Sequence, residues 1–588
     1  MTEKKTSFAM SIAAGTVAAA AALALAATPA QAQTADGTGG EGMWLPSQLP
    51  AIADQLRAAG YKGDPAALAD LTRPPMNAMV SLGGCTASFV SPEGLVVTNH
   101  HCAKGAIQLN STPEDNLLEN GFIAADRAAE RSAGPGARVL VTVAFDKVTD
   151  RILGDARGKT GRAYYDAVEA AQKALVAECE ADEGYRCSVA DMYYGTDFHL
   201  IKQLELKDIR LVYAPPESIG NYGDEIDNFM WPRHTGDFTL LRAYVGKDGK
   251  PAAYSADNVP YRAPAHLRIA KDGPQAGDFV MLAGYPGTTY RHRTAAEFDE
   301  QVNWKLPAQV EVLNELIDIV EAAGKSNATD KTLYAAQLQS LKNGAKRYAG
   351  ELEGLRRSDA VQVRTEDERG MLAATKGGER RDIDALQVSL AEASAVRERE
   401  LLLGLFGSQT QLMRSALTLA RLRVESAKPD AQRESNYQTR DHAMLEGMLK
   451  QVQRRYSPNV EKALLTALLT RYQQLPEAQR IPEFDAAFGR TPTELAKVLD
   501  TLYAKTSLGE ESQRLSRFQA AREGKTFAAD PLTDLAGKLI PAQLRIEHER
   551  KTREGEQLRL RPAYMRALFA WRKQQGRALY PDANGTLR

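Results

Sequence analysis

Between residues 43 and 289 the apolar positions come in short runs rich in β-branched and aromatic side chains, cut every few residues by Gly, Pro and Asp. Such punctuation predicts strands. The clearest are 95–98, 139–145, 209–213, 238–245 and 279–283, and many short strands joined by turns predict a barrel or a sandwich. Residues 163–181 break the rule, because their alanines and acidic residues read as a helix. Beyond "GYPGTTYRHRT" the spacing turns helical, as in Leu313, Leu316, Ile317 and Val320, or Leu464, Leu465, Leu468, Leu469 and Tyr472. The helical character runs to about residue 575, so residues 290–575 are expected to form one helical domain, with "RTEDERG" and "GGERRDIDA" as solvated faces and turns. Residues 576–588, with Pro581 and the turn signal Asn584-Gly585, read as the opening of a further β-segment.

A length of 588 residues predicts more than one domain, and 43% apolar with 25% charged residues is ordinary globular composition. The net charge is −1 with both signs mixed along the chain, which argues against nucleic acid or an anionic membrane as a partner. Residues 1–32 read as a secretory signal, with Lys4 and Lys5 before an alanine-rich apolar stretch at 12–27 and a small-residue cleavage site at Ala30-Gln31-Ala32. No later apolar run is long enough to span a bilayer. Export places the four cysteines in an oxidising compartment, where local spacing pairs Cys85 with Cys102 and Cys179 with Cys187, although sequence alone permits three connectivities.

The stretch "GGCTASFVSPEGLVVTNHHCAKG" concentrates the candidate chemistry. A metal site on His100, His101 and Cys102 is disfavoured, since adjacent residues of an extended strand point to opposite faces and no second ligand cluster follows. A strand ending in "TNHHC", with a cysteine upstream in "GGC", instead resembles the chymotrypsin-like serine peptidases, in which the catalytic histidine precedes a disulfide cysteine. That makes His101 the general base and His100 a buried or edge residue. Bridging Cys85 to Cys102 would hold the base rigidly. A histidine base needs a carboxylate on its other ring nitrogen. Asp237, directly before the 238–245 strand, is the candidate; Asp227 competes, and Asp224 and Glu225 stand behind it.

"EGMWLPSQL", "GGCTASFVSPEGLVVTNHHCAKGAIQ", "ENGFIAADRAAER", "ESIGNYGDEIDNFMWPRHTGDF", "GYPGTTYRHRT" and "LKNGAKRYAGELEGL" together resemble the bacterial dipeptidyl-peptidase 7 and 11 family of serine exopeptidases, from about Glu41 onward. The resemblance implies a mixed fold: a chymotrypsin-like double β-barrel with a large inserted all-α domain, residues 33–289 forming the N-terminal part of the barrel domain. It implies a triad containing His101 and Asp237, and a substrate-amine anchor on Asn228, Phe229 and Asn343. The family usually has tryptophan where this chain has Phe229, which keeps an apolar wall but loses an indole N–H. Oligopeptides are the implied substrates, the periplasm the implied location, with outer-membrane association and a homodimer left open, and no cofactor or metal is called for. Family order places the nucleophilic serine in a closing β-segment after the helical domain. No G-x-S-G turn follows Asp237, and "LFGSQT" around Ser408 lies in helical sequence. The expectation is therefore a chain truncated at its C-terminus, with its second barrel incomplete, and inactive alone. A non-catalytic periplasmic peptide-binding protein is the alternative.

Overall fold

The computed structural model describes residues 43–112, 114–577, 580–582 and 586–587. The expected signal segment and the Asn584-Gly585 turn lie outside them. Eleven strands are found among the described residues: β1 (Met79–Ser81), β2 (Thr86–Phe89), β3 (Leu95–Thr98), β4 (Phe122–Ile123), β5 (Arg131–Ser132), β6 (Val139–Lys147), β7 (Tyr185–Met192), β8 (Asp197–Leu206), β9 (Asp208–Ala214), β10 (Thr239–Val245) and β11 (Val259–Pro260). They form one hydrogen-bonded sheet in the order β4-β9-β10-β3-β2-β1-β6-β8-β7, with β5 also on β9 and β11 on β10. Main-chain pairing leaves the described sheet open, and a single register pair, Ser81 with Leu140, joins β1 to β6. The expected strand at 279–283 is absent, and Val280 and Leu282 are largely exposed. A β-rich composition forms a strand only where a neighbour completes its hydrogen bonds.

Period-2 patterning explains the strands that carry the site. In β2 and β3 every second residue is buried, which places Ala87, Phe89 and Val96 in a core with Ile107, Leu211 and Ala243. Antiparallel registers set Thr239 of β10 opposite Thr98 of β3, so the start of β10 lies beside the end of β3.

Helices labelled below are α1 (His100–Leu109), α2 (Gly161–Cys179), α3 (Asp224–Asp227), α4 (Leu306–Ser326), α5 (Ala328–Arg356), α6 (Pro458–Gln473) and α7 (Pro531–Gln574). A second, helical core gathers Leu313, Leu316 and Val320 of α4, Leu464, Leu465, Leu468, Leu469 and Tyr472 of α6, and Leu532 to Ala542 of α7. The two parts are fastened where α7 crosses α2. There a Cβ on Gly555 would sit 2.0 Å from the Gly161 carbonyl oxygen, so only glycine permits the approach. Beside it the buried Lys551 ammonium meets Glu169 at 3.0 Å and Glu434 at 2.6 Å. Among the described residues no helix is long and apolar enough to cross a membrane.

Candidate active site

The strand β3 ends at Thr98, and α1 begins two residues later. Its buried residues are His100, Ala103, Lys104, Ile107 and Gln108, spaced i, i+3, i+4, i+7 and i+8 as for one helix face. His101 stands a third of a turn away from that face, with its side chain 56% exposed. The geometry thus separates the two histidines. The His100 ring is sealed against Gly220, its Nε2 has no partner among the described residues, and burial pushes its pKa down.

Asp237 lies two residues before the start of β10, which brings it to the N-terminus of α1. Its Oδ2 is 2.8 Å from His101 Nδ1, and its Oδ1 accepts from the His101 main-chain N–H at 3.1 Å. Asn99 Nδ2 donates to Oδ2 at 3.1 Å and to the Asp237 carbonyl at 3.2 Å. The carboxylate therefore caps the helix from outside and orients the ring in one act, and the helix dipole favours its charge. Burial works to raise the Asp237 pKa. The hydrogen bonds and charge of His101, with the Asn99 amide, outweigh it and hold the carboxyl below the ordinary aspartate value.

The competing acids do not reach the His101 ring. Asp227 folds over Gly223 and makes no hydrogen bond to His101; Asp224 pairs with Lys342 at 3.2 Å; Glu225 accepts from Asn228 and from Gln339. Cys85 and Cys102 are joined in a disulfide, as are Cys179 and Cys187. Ligand atoms of Cys85, His101 and Cys102 lie within 4.8 Å of one another, but both sulfurs are bonded to each other and offer no thiolate, which leaves a single imidazole. His100, His101 and Cys102 do not extend the strand as expected: they form the first turn of α1, where burial follows a period of 3.6.

Asn228 and Asn343 meet although 115 positions separate them, Asn228 Nδ2 donating to Asn343 Oδ1 at 2.7 Å. The contact exists because one face of α5 lies on the 221–228 loop. Gln339 Nε2 donates to Glu225, Lys346 Nζ donates to the Glu225 and Ile226 carbonyls, and Lys104 of α1 reaches both Glu217 at 2.7 Å and Gln339 Oε1 at 3.4 Å. The helix that carries His101 is thereby tied to the loop that carries Asn228. Phe229 follows at φ +59° and is 59% exposed, a left-handed conformation that a bulky side chain adopts only when its surroundings impose it.

Residues 39–588 match the family described as Peptidase S46. The chain belongs to the peptidase S46 family. It is 41% identical over 553 residues to an Asp/Glu-specific dipeptidyl-peptidase of Shewanella putrefaciens, covering 93% of this chain and 75% of that protein. Dipeptidyl-peptidase 7 of Porphyromonas gingivalis is 29% identical over 573 residues, covering 93% and 77%. The structure matches Porphyromonas endodontalis DPP11 in complex with the dipeptide Arg-Glu at a TM-score of 0.75 and 27% identity, over 93% of this chain and 79% of that one. The S46 chain described here is thus a member of a family of dipeptidyl peptidases, hydrolases, with a mixed sheet-and-helix fold.

Among the described residues no serine or threonine hydroxyl is hydrogen-bonded to the His101 ring. Ser408 ends a helix, Arg397–Ser408, where its hydroxyl accepts from Gln409. The sequence reading overlooked Asn99, Lys104, Gln339 and Lys346. The 3.6-residue period of the buried positions from His100 to Gln108 was the signal that could have revealed the helix and the inward Lys104.

Proposed function

We propose that this S46 chain carries the base, the carboxylate and the substrate-amine anchor of a serine-type dipeptidyl peptidase exported to the periplasm. In this reading residues 33–289 belong to a chymotrypsin-like double β-barrel, and residues 290–575 form the helical domain that closes one end of the cleft. The observation that carries it is the 2.8 Å contact between His101 Nδ1 and Asp237 Oδ2 beneath an exposed imidazole. With Nδ1–H hydrogen-bonded to the ionised carboxylate, the Nε2 lone pair is free to take the proton of an attacking serine hydroxyl and return it to the leaving amine. Asn228 and Asn343 take the α-ammonium of a peptide and Phe229 supplies an apolar wall, so the chain is cut two residues from its free end. The names of the S46 relatives support that product.

Because no hydroxyl meets His101 among the described residues, the proposal has residues 33–588 binding peptides without hydrolysing them alone. The test is calorimetric binding of peptides with a free α-amine and of their N-acetylated forms, beside a dipeptidyl-substrate assay with an active S46 peptidase as control. Substrates with Asp or Glu at the second position come first, following the name of the Shewanella putrefaciens relative. Free-amine peptides are expected to bind and acetylated ones not to. Equal binding of both overturns the anchor. Hydrolysis by residues 33–588 that a covalent serine reagent blocks overturns the claim that this segment brings no nucleophile to His101.

A further inference from the structure

Asn228 and Asn343 pose a problem of orientation. An asparagine amide has a donor end and an acceptor end of nearly equal size, and two facing amides satisfy each other equally well if both are turned over together. In one arrangement Asn228 donates to the Asn343 oxygen; in the other Asn343 donates to the Asn228 oxygen. The two differ in what they offer a ligand. An ammonium group has donors only, so it needs the arrangement in which the Asn228 oxygen is left open.

Glu225 breaks the tie. Its Oε2 lies 2.7 Å from Asn228 Nδ2, the same distance as Asn343 Oδ1. A carboxylate accepts and does not donate, so turning Asn228 over would set oxygen against oxygen beside a full negative charge. Among the described residues the observed orientation leaves Asn228 Oδ1 with only the Arg233 guanidinium at 3.4 Å, a long contact. Glu225 is itself held. Its other oxygen accepts from Gln339 Nε2, and its main-chain carbonyl accepts from Lys346 Nζ, both on α5. Gln339 in turn is oriented by Lys104 of α1 and by Asn221, which donate to its Oε1 at 3.4 and 3.3 Å.

We propose that Glu225 is a positioning residue for substrate recognition: its carboxylate locks Asn228, and through it Asn343, in the orientation that presents oxygen acceptors to the α-ammonium of a peptide. The inference rests on the amine anchor proposed above. Glu225 touches no reacting atom. Its effect belongs in the affinity for a free amine and not in the affinity for the rest of the peptide.

The probe is the dipeptide Arg-Glu and its N-acetyl form, titrated calorimetrically into residues 33–588 and into Glu225→Gln. A glutamine has one oxygen, so it cannot accept from Asn228 and Gln339 together, and it brings a donor into the site. Loss of one charge-assisted hydrogen bond predicts about a tenfold or greater loss of Arg-Glu affinity, with N-acetyl binding unchanged. If the parent protein itself fails to prefer the free amine, or binds neither probe, the anchor reading fails. If the parent discriminates and Glu225→Gln discriminates equally, or loses both probes in parallel, the positioning role of Glu225 is overturned. Should Glu225→Gln not fold, Gln339→Met removes the second tether while keeping the carboxylate. A smaller loss confined to the free amine is then expected, and no loss, or a parallel loss, overturns the proposal.

Discussion

Replacing Asp237 by asparagine preserves shape and removes charge, which makes it a sharp probe of the site. The carboxylate accepts the His101 main-chain N–H, the His101 ring Nδ1–H and the Asn99 amide. An asparagine has one acceptor and one donor end. If its oxygen keeps the main-chain N–H, its NH₂ faces the ring at the 2.8 Å position, and the imidazole must move its proton from Nδ1 to Nε2 to accept. That tautomer has no lone pair on the exposed nitrogen, and in Ser-His-Asp peptidases the same change costs about 10⁴-fold in turnover. The stability effect follows from one lost charge-assisted hydrogen bond plus the charge at the helix end, together about 2 kcal/mol. Its pH dependence has a definite sign. The folded pKa of Asp237 lies below the ordinary 3.8, so the stabilisation is complete above that value and fades as the pH falls through the lower folded pKa. Denaturant unfolding of the two proteins should therefore differ at neutral pH, and the gap should shrink as the pH falls below about 4 through the lower folded pKa. Nitrogen-15 spectra of the eight histidines report the tautomer directly. A His101 ring that keeps its proton on Nδ1 in Asp237→Asn, or a stability gap that does not shrink in acid, would refute this account of the pair.

Three further outcomes test the frame around the site. The Cys85→Ser, Cys102→Ser double variant opens a loop of 17-residue separation and is expected to lose about 3 kcal/mol by chain entropy, measured by denaturant unfolding without reductant. Gly220→Ala places a Cβ 2.6 Å from the buried His100 ring and should cost about 1–3 kcal/mol, part of which returns when His100→Ala makes room in the double variant. His292 is fully buried, its Nε2–H donates to the Tyr580 carbonyl, and burial lowers its pKa to about 4, so the folded state keeps it neutral where the unfolded chain binds a proton. Stability should accordingly fall by roughly 3 kcal/mol between pH 6.5 and 4, and His292→Gln should flatten that part of the pH–stability curve.

How far the site could be read from the chain depended on how local its causes are. The strand expected at 95–98 coincides with β3, and the expected helix at 163–181 is displaced from α2 by two residues, because half-buried strands and helices write their burial into a short period. The segment 279–283 has the same local composition and no strand, since pairing is decided by a neighbour and not by the segment. "TNHHC" singles out His101 as a candidate, yet its helical conformation was not legible: the change from period 2 to period 3.6 falls within two residues of Thr98, too short a span for either pattern to dominate a window.

The partnership of Asn228 and Asn343 shows a different kind of limit. Gln339, Lys342, Asn343 and Lys346 stand at i, i+3, i+4 and i+7 on α5, a polar stripe that looks like an ordinary solvated helix face. Each member nevertheless contacts the 224–228 loop: Gln339 and Lys346 meet Glu225, Lys342 meets Asp224, and Asn343 meets Asn228. A solvated face needs no particular residues and would tolerate any mixture of charges. Here the loop supplies two carboxylates, two main-chain carbonyls and one amide donor, and the stripe answers with two amides and two ammonium groups, so the match is chemical as well as spatial. Complementarity of that sort exists only between two distant segments. It can be checked once both are placed, and no periodicity within either segment foretells it.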